Sequence, residues 1–246
     1  MNEPGIAALL AASEATWPAA RIIELPGWRI RDGAGGGQRV SAASATTGRP
    51  AIAAMEAAQA ALGQVPLVMI RPGEEALDTA LAARGYEIRD PVMFYAGRVE
   101  DLATIPPPLS VFEVPWPPMR VQEEIWEQGG VGRARLAVMD RAGGAKCTIL
   151  GRVREHPAGT AFVAAGGEIA MLHALEVAPH LRRAGTAANI MRGAALWARS
   201  QGVGWLAVAV TEANRAARAL YSSLCMRPCG GYHYRGKVPA PGESGG

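Results

Sequence analysis

Within residues 169–177, a predicted strand, alternate positions from Leu172 to Val177 fall on opposite faces with a period of two. His173, Leu175 and Val177 lie on one side, and Leu172, Ala174 and Glu176 on the other. This is the signature of a strand, and Pro179 ends it. From Gly185 onward Ala187, Ile190, Met191, Ala194, Trp197 and Ala198 recur at spacings of three and four, which predicts a helix burying one stripe. The same reading places helices at 1–20, 51–63, 74–85, 120–128 and 213–224. Strands are expected at 27–31, 38–45, 65–71, 86–96, 135–139, 146–153, 160–164, 205–211 and 228–234. The glycine run after Asp32 is expected as the turn of a hairpin between two strands rather than as the start of a helix.

Residues 99–119 interrupt this alternation. Ile105-Pro-Pro-Pro and Val114-Pro-Trp-Pro-Pro mark an extended connection between two halves. Laid over one another at a shift of about 140, both halves follow strand, helix, strand, helix, strand. The expected division is therefore 1–98, a linker at 99–119, a second domain at 120–237 and a flexible tail at 238–246. The class is α/β with a mixed sheet.

Composition narrows the field. The chain has 246 residues, 49% hydrophobic and 19% charged, as expected for a globular protein. A net charge of +3 is too small and dispersed for a nucleic-acid surface. No apolar stretch is long enough to span a bilayer, and the run Ile6–Ala12 lacks the basic flank of a signal peptide. Three cysteines, Cys147, Cys225 and Cys229, make no disulfide framework, which points to a reducing cytoplasm. Cys225, Cys229 and His233 lack the spacing of a zinc site, so no metal is expected.

The chemistry concentrates at the junction of strand 169–177 and the helix that follows. The first N–H groups of a helix have no internal partner and carry the positive end of its dipole, so they suit an anion. Gly185 lets backbone approach, Ala187 is small, and Arg182 and Arg183 add donors suited to phosphate. The pattern R182-x-x-G-x-A resembles motif A of the GNAT acetyltransferase superfamily. Asn214, Ala217, Leu220 and Tyr221 match that family's N-x-x-A-x-x-L-Y signature. The joint resemblance covers residues 120–236, and the paired halves resemble tandem GNAT proteins with a degenerate first copy.

The resemblance implies two GNAT-like domains in tandem. It also implies acetyl-CoA as co-substrate, with its pyrophosphate in the loop Arg182, Arg183, Ala184, Gly185, Thr186 and Ala187. The pantetheine arm would run along Leu175, Glu176 and Val177, and Tyr221 would protonate the leaving thiolate. Asn214 is either a helix cap or a contact to the cofactor arm together with Ala217. His173 sits in L-H-A-L-E-V, which resembles the strand of arylalkylamine acetyltransferases whose histidine lies in the proton path. A structural histidine is its alternative. Glu176 is a candidate base only if a bulge turns it from the opposite face. In the first half the positions matched to the phosphate loop are Ala42–Thr47, without Arg or Gly, and Leu81 stands where the second half has Tyr221. Trp28, Arg29 and Arg39 either line an acceptor cleft or belong to a buried hairpin. The expected function is acetyl transfer to a primary amine of a small molecule or peptide. A non-catalytic acyl-CoA-binding protein and transfer to a hydroxyl or thiol, or of a longer chain, are the alternatives. A sheet edge in either half offers a route to a homodimer.

Overall fold

In a computed structural model, which describes residues 2–237, the chain begins α1 (Ile6–Thr16), β1 (Arg21–Leu25), β2 (Trp28–Asp32), α2 (Gln38–Ser41), β3 (Ser44–Ala45) and α3 (Ile52–Ala61). It continues β4 (Leu67–Ile70), α4 (Glu75–Ala82), β5 (Glu87–Arg98), α5 (Val99–Leu102), β6 (Val111–Pro115), α6 (Arg120–Gln128) and α7 (Arg133–Arg141). Then come β7 (Lys146–Val153), β8 (His156–Gly166), β9 (Ile169–Val177), α8 (Thr186–Ser200), β10 (Trp205–Thr211), α9 (Arg215–Ser223) and β11 (Arg227–Gly236). The expected tail at 238–246 lies outside the described residues. No helix among the described residues is long and apolar enough to cross a membrane.

The contacts group into two compact units, each discontinuous in sequence. Among the described residues, the first takes 2–18, 93–210 and 214–230, and the second takes 19–92, 211–213 and 231–237. In the first unit the strand order is β5–β10–β9–β8–β7–β6, with β5 entering through Met93–Arg98. β6, β7, β8 and β9 pair antiparallel in turn, and β9 pairs parallel with β10, so the sheet is mixed. The apolar stripe of α8 supplies Ile190, Met191, Ala194, Ala195, Trp197 and Ala198 to a core shared with Ile149, Ala161, Leu172 and Leu206. Stacking that many fully buried side chains against a sheet is what makes this unit a domain core. The helix α1 also packs on β8 and β9, burying Leu9, Ala12, Ser13 and Thr16.

The second unit has β1, β2 and β3 as an antiparallel sheet, a parallel bridge from Ala43 to Val68, and β4 paired antiparallel with β11. Its core gathers Trp28, Ile30, Met55, Val68, Ile70, Leu77 and Leu81. Trp28 is fully buried and donates its indole N–H to the Ala51 carbonyl at 2.9 Å, so it belongs to the hairpin interior. Alternate residues of β11 hold this unit together. Arg235 makes a bidentate pair with Asp78 at 2.7 and 3.0 Å, and His233 reaches the same carboxylate at 2.8 Å. Lys237, next on that side, pairs with Glu56 at 2.7 Å.

Four local expectations are corrected. The hairpin turn is Pro26-Gly27, with Gly27 at φ 82°, and it joins β1 to β2. Proline and glycine there supply the fixed and the positive φ a tight turn requires. The glycine run instead leads from β2 into the short helix α2, so 38–45 is a helical turn and a two-residue strand. Residues 133–141 form α7 rather than a strand; Arg, Ala, Leu and Met favour helix, and only Val138 and Met139 are buried, which is no period of two. The stretch 99–119 contains α5 and β6, and β6 pairs along β7 from Val111–Gly151 to Pro115–Cys147.

The Asp78 carboxyl is held down to about 2, first by the Arg235 hydrogen bonds and then by His233 and its charge, against the opposing effect of burial. A depressed carboxylate stabilises the fold fully above its unfolded pKa and loses that contribution as pH falls through the folded value. Replacing Asp78 by Asn is therefore expected to cost about 2 kcal/mol at neutral pH. In urea titrations, the gap between wild type and variant should close between about pH 4 and pH 2. A constant gap across that range would show that the ion pairs do not carry it.

Candidate functional site

The register of β9 determines what the site presents. Its parallel pairing with β10 runs from Ile169–Trp205 to Met171–Ala207, yet β9 continues to Val177 and β10 to Thr211. Beyond Met171 the two strands part, while β8 still pairs with β9 as far as Val177. The backbone of 172–177 thus presents hydrogen-bonding groups along the edge that faced β10.

The opposite edge of β9 carries a bulge. Phe162 opposes His173 and Thr160 opposes Glu176, so Ala161 faces two residues, Ala174 and Leu175. Ala174 adopts φ 49° to accommodate the extra residue. The bulge reverses the alternation. Leu172 and Leu175 both pack toward the α8 core, and Glu176 falls on the side of His173. The bulge that would turn Glu176 from the opposite face is thus present in β9. The Glu176 carboxyl is half-buried and its pKa is raised, by burial above all, with Arg182 and Arg135 pulling it back. Gly129, at the end of α6, lies against it: a β-carbon there would sit 2.6 Å from the carboxyl carbon.

His173 is placed deep under α1, 5% exposed, with its ring 4.9 Å from that of Trp17 and 6.2 Å from that of Phe162. Its Nε2 is 2.8 Å from the Thr16 hydroxyl, which itself donates to the Ala12 carbonyl. With its one proton given to Ala12, Thr16 acts as acceptor, which assigns the Nε2 proton to His173.

The loop after β9 is exposed at Arg182, Arg183, Ala184 and Gly185. Arg183 at φ 63° and Gly185 at φ 78° are both left-handed, a conformation that glycine adopts without penalty. Arg182 donates from Nε to the Val177 carbonyl at 3.0 Å, which folds the loop back on its strand. Thr186, the first residue of α8, has a buried hydroxyl without a hydrogen-bond partner among the described residues. Ala187, next in α8, is half-buried.

On α9, Tyr221 is 6% exposed with its ring 5.8 Å from that of Tyr95. Burial and then the charge of Glu176 push its phenol up to about 12, so it holds its proton throughout the physiological range. The charge of Glu176, on the part of β9 that has left β10, thus acts on Tyr221, while His173 is buried against the rings of Trp17 and Phe162. Asn214 caps α9, its Oδ1 accepting from Ala217 N–H at 3.0 Å, and Ala217 packs on the adjacent core. Cys229 donates to Glu3 at 3.1 Å and His233 to Asp78; no group of three or more His, Cys, Asp or Glu able to hold a metal occurs among the described residues.

In the second unit the segment joining β3 to its helix α3 is 46–51, which contains Gly48 and Arg49, rather than Ala42–Thr47. The equal-shift alignment slips there because the connections differ in length. Leu81 is fully buried in the hydrophobic core of that unit. Sequence reading did not single out Gln122, Trp126 and Gly129 of α6, although their spacing of four and three places them on one helix face. The signal was present, but nothing in it marked what the face touches.

The Acetyltransferase (GNAT) family model matches residues 107–225. The whole chain is similar to a GCN5-related N-acetyltransferase from Kribbella flavida, at 19% identity and a TM-score of 0.72, over 97% of this chain and 98% of that one. A protein of unknown function from Staphylococcus epidermidis is similar at 10% identity and a TM-score of 0.65, over 90% and 96% of the two chains. A tandem GNAT protein from the clavulanic acid biosynthesis pathway is similar at 15% identity and a TM-score of 0.58, over 82% and 76%. Among curated proteins, none matches. The fold is accordingly the α/β, mixed-sheet fold of the GNAT superfamily.

Asn214→Ala is expected to lose about 1 kcal/mol of stability through the cap, and Asn214→Ser to recover most of it. Chemical denaturation of the three proteins measures this. Equal stability of the alanine variant and the wild type would remove the capping role.

Proposed function

We propose that this chain, which the GNAT family model matches over residues 107–225, is a GNAT enzyme that transfers the acetyl group of acetyl-CoA to a primary amine of a small molecule or peptide by direct attack. The observation that carries the reading is the parting of β9 from β10 beside a loop with two left-handed residues. It gives an extended thioester arm a strand edge to pair with and gives its phosphates a helix N-terminus. Arg182, Arg183 and the N–H groups from Gly185 to Ala187 suit the pyrophosphate, and the orphaned Thr186 hydroxyl fits a polar ligand close by. The acetyl-CoA supplies an activated thioester; everything else falls to the protein.

An alkylammonium has a pKa of about 10, so its proton must be taken before the nitrogen attacks. Glu176 takes it in this reading, directly or through one water; the bulge turns it from the face a regular strand would give it, and its charge acts on the Tyr221 phenol. His173 has its Nε2 proton committed to Thr16 and props the strand from behind. Backbone N–H groups of 174–177 stabilise the negative charge that develops on the carbonyl oxygen. Tyr221, protonated at every relevant pH, gives its proton to the departing thiolate. The cytoplasm, where acetyl-CoA is made, is the compartment this chemistry needs.

The test is calorimetric titration of wild type and Gly185→Glu with acetyl-CoA, followed by thiol-release assays over a panel of amines. Wild type is expected to bind; the variant, with a carboxylate in the phosphate loop and an unfavourable φ, is expected to stay folded and lose binding. Tyr221→Phe should retain binding and lose about 10²-fold in turnover. Glu176→Gln should remove the acidic limb of kcat/KM, since only the ionised carboxylate accepts a proton. A wild type that does not bind acetyl-CoA ends the proposal, and one that binds but turns over no amine leaves an acyl-CoA-binding protein.

A further inference from the structure

Two residues of α6 and the glycine that caps its end face the sheet at successive turns. Gln122, fully buried, donates from Nε2 to the hydroxyls of Thr148 at 2.8 Å and Thr160 at 2.9 Å, which locks the helix to β7 and β8. Trp126, also fully buried, donates its indole N–H to the carbonyl of Ala174 at 2.7 Å. Gly129 ends the helix against the Glu176 carboxylate.

The middle contact is the informative one, because Ala174 is the left-handed residue of the bulge. A bulge leaves part of the ladder unmade, and a buried carbonyl without a donor would favour relaxation to regular pairing. Regular pairing would return residue 176 to the opposite face. The indole supplies the missing donor from a helix that is itself fixed to the neighbouring strands. Gly129 leaves space that any β-carbon would fill.

We infer that Trp126 is a positioning residue: its bond to the Ala174 carbonyl holds the bulge, and the bulge aims Glu176, with Gly129 leaving the place where that carboxylate sits. The inference rests on the reading of Glu176 as base for its catalytic meaning, but its geometric content stands on the bond and the bulge. Groups whose charge acts on Glu176 are Arg182 from the loop after β9 and Arg135 from α7, and Glu176 in turn acts on the Tyr221 phenol from α9. If the carboxylate leaves its half-buried place, the burial that raises it is lost, and its titration must move down toward the ordinary glutamate value of about 4.3.

The experiment is a carboxyl-carbon NMR titration of the full chain labelled at glutamate, with the Glu176 signal assigned by its absence in Glu176→Gln. In the wild type Glu176 should titrate above the ordinary range, and the Trp126 indole N–H resonance should follow the same midpoint. Trp126→Phe keeps a ring in place and removes the donor; Gly129→Ala evicts the carboxylate without touching the indole bond. Both variants are expected to shift the Glu176 midpoint downward. Both should also lower kcat about 10²-fold, the scale of a catalytic group displaced by about 1 Å, with acetyl-CoA affinity within about twofold. A midpoint unchanged in both variants overturns the inference, and so does a Trp126 resonance that is flat across the Glu176 titration, a readout available even if Trp126→Phe does not fold. The base reading fails separately, if Glu176→Gln retains the acidic limb of kcat/KM.

Discussion

Between Phe162 and Thr160 strand β8 advances by two residues while β9, from His173 to Glu176, advances by three. That one extra residue reverses which side chains of β9 meet the helix core and which meet α6. It lets Leu175 stay with the α8 core while Glu176 comes round to the polar side. A left-handed alanine costs roughly 1–2 kcal/mol, so the conformation persists only where its surroundings over-determine it. Here strand pairing continues on both sides of the bulge, and the Trp126 indole holds its carbonyl. The site is built on this local strain, supported by a helix that does no chemistry itself.

What could be read from the sequence follows from what leaves a periodic trace. The alternation along 169–177 and the three–four spacing of Ile190, Met191, Ala194 and Trp197 located β9 and α8, because both bury one face. The cap at Asn214 was legible as one of two readings, since an Asn before a helix has a specific partner. The bulge left only a faint trace: Ala174 is neither glycine nor proline, and the sole sign is that the two polar residues, His173 and Glu176, stand three apart where a regular strand would space them by two. The helix α7 was misread because alternating Arg and Ala imitates a half-buried strand when only two residues are buried. Trp126 and Gly129 were silent because their partners lie far along the chain, at Ala174 and Glu176.

The second unit is built with other side chains. It has a parallel bridge, a helix after it and a core of its own; Leu81 is sealed among hydrophobic neighbours there, whereas the Tyr221 phenol of the first unit feels the charge of Glu176. On β11 and just past its end, His233, Arg235 and Lys237 engage Asp78 and Glu56 from alternate positions.

The strand order also bears on how the protein is made. β4 leaves the ribosome early, but its antiparallel partner β11 is synthesised after α9, and α1 precedes by far the strands β8 and β9 on which it lies. At about 5–20 residues per second, α1 is exposed for on the order of ten seconds before those strands exist. Neither half can therefore finish folding while the other is still being translated. The nascent chain must carry an uncovered helix face and an unpaired strand until the end of synthesis, and early termination anywhere before β11 leaves an aggregation-prone fragment rather than a usable half.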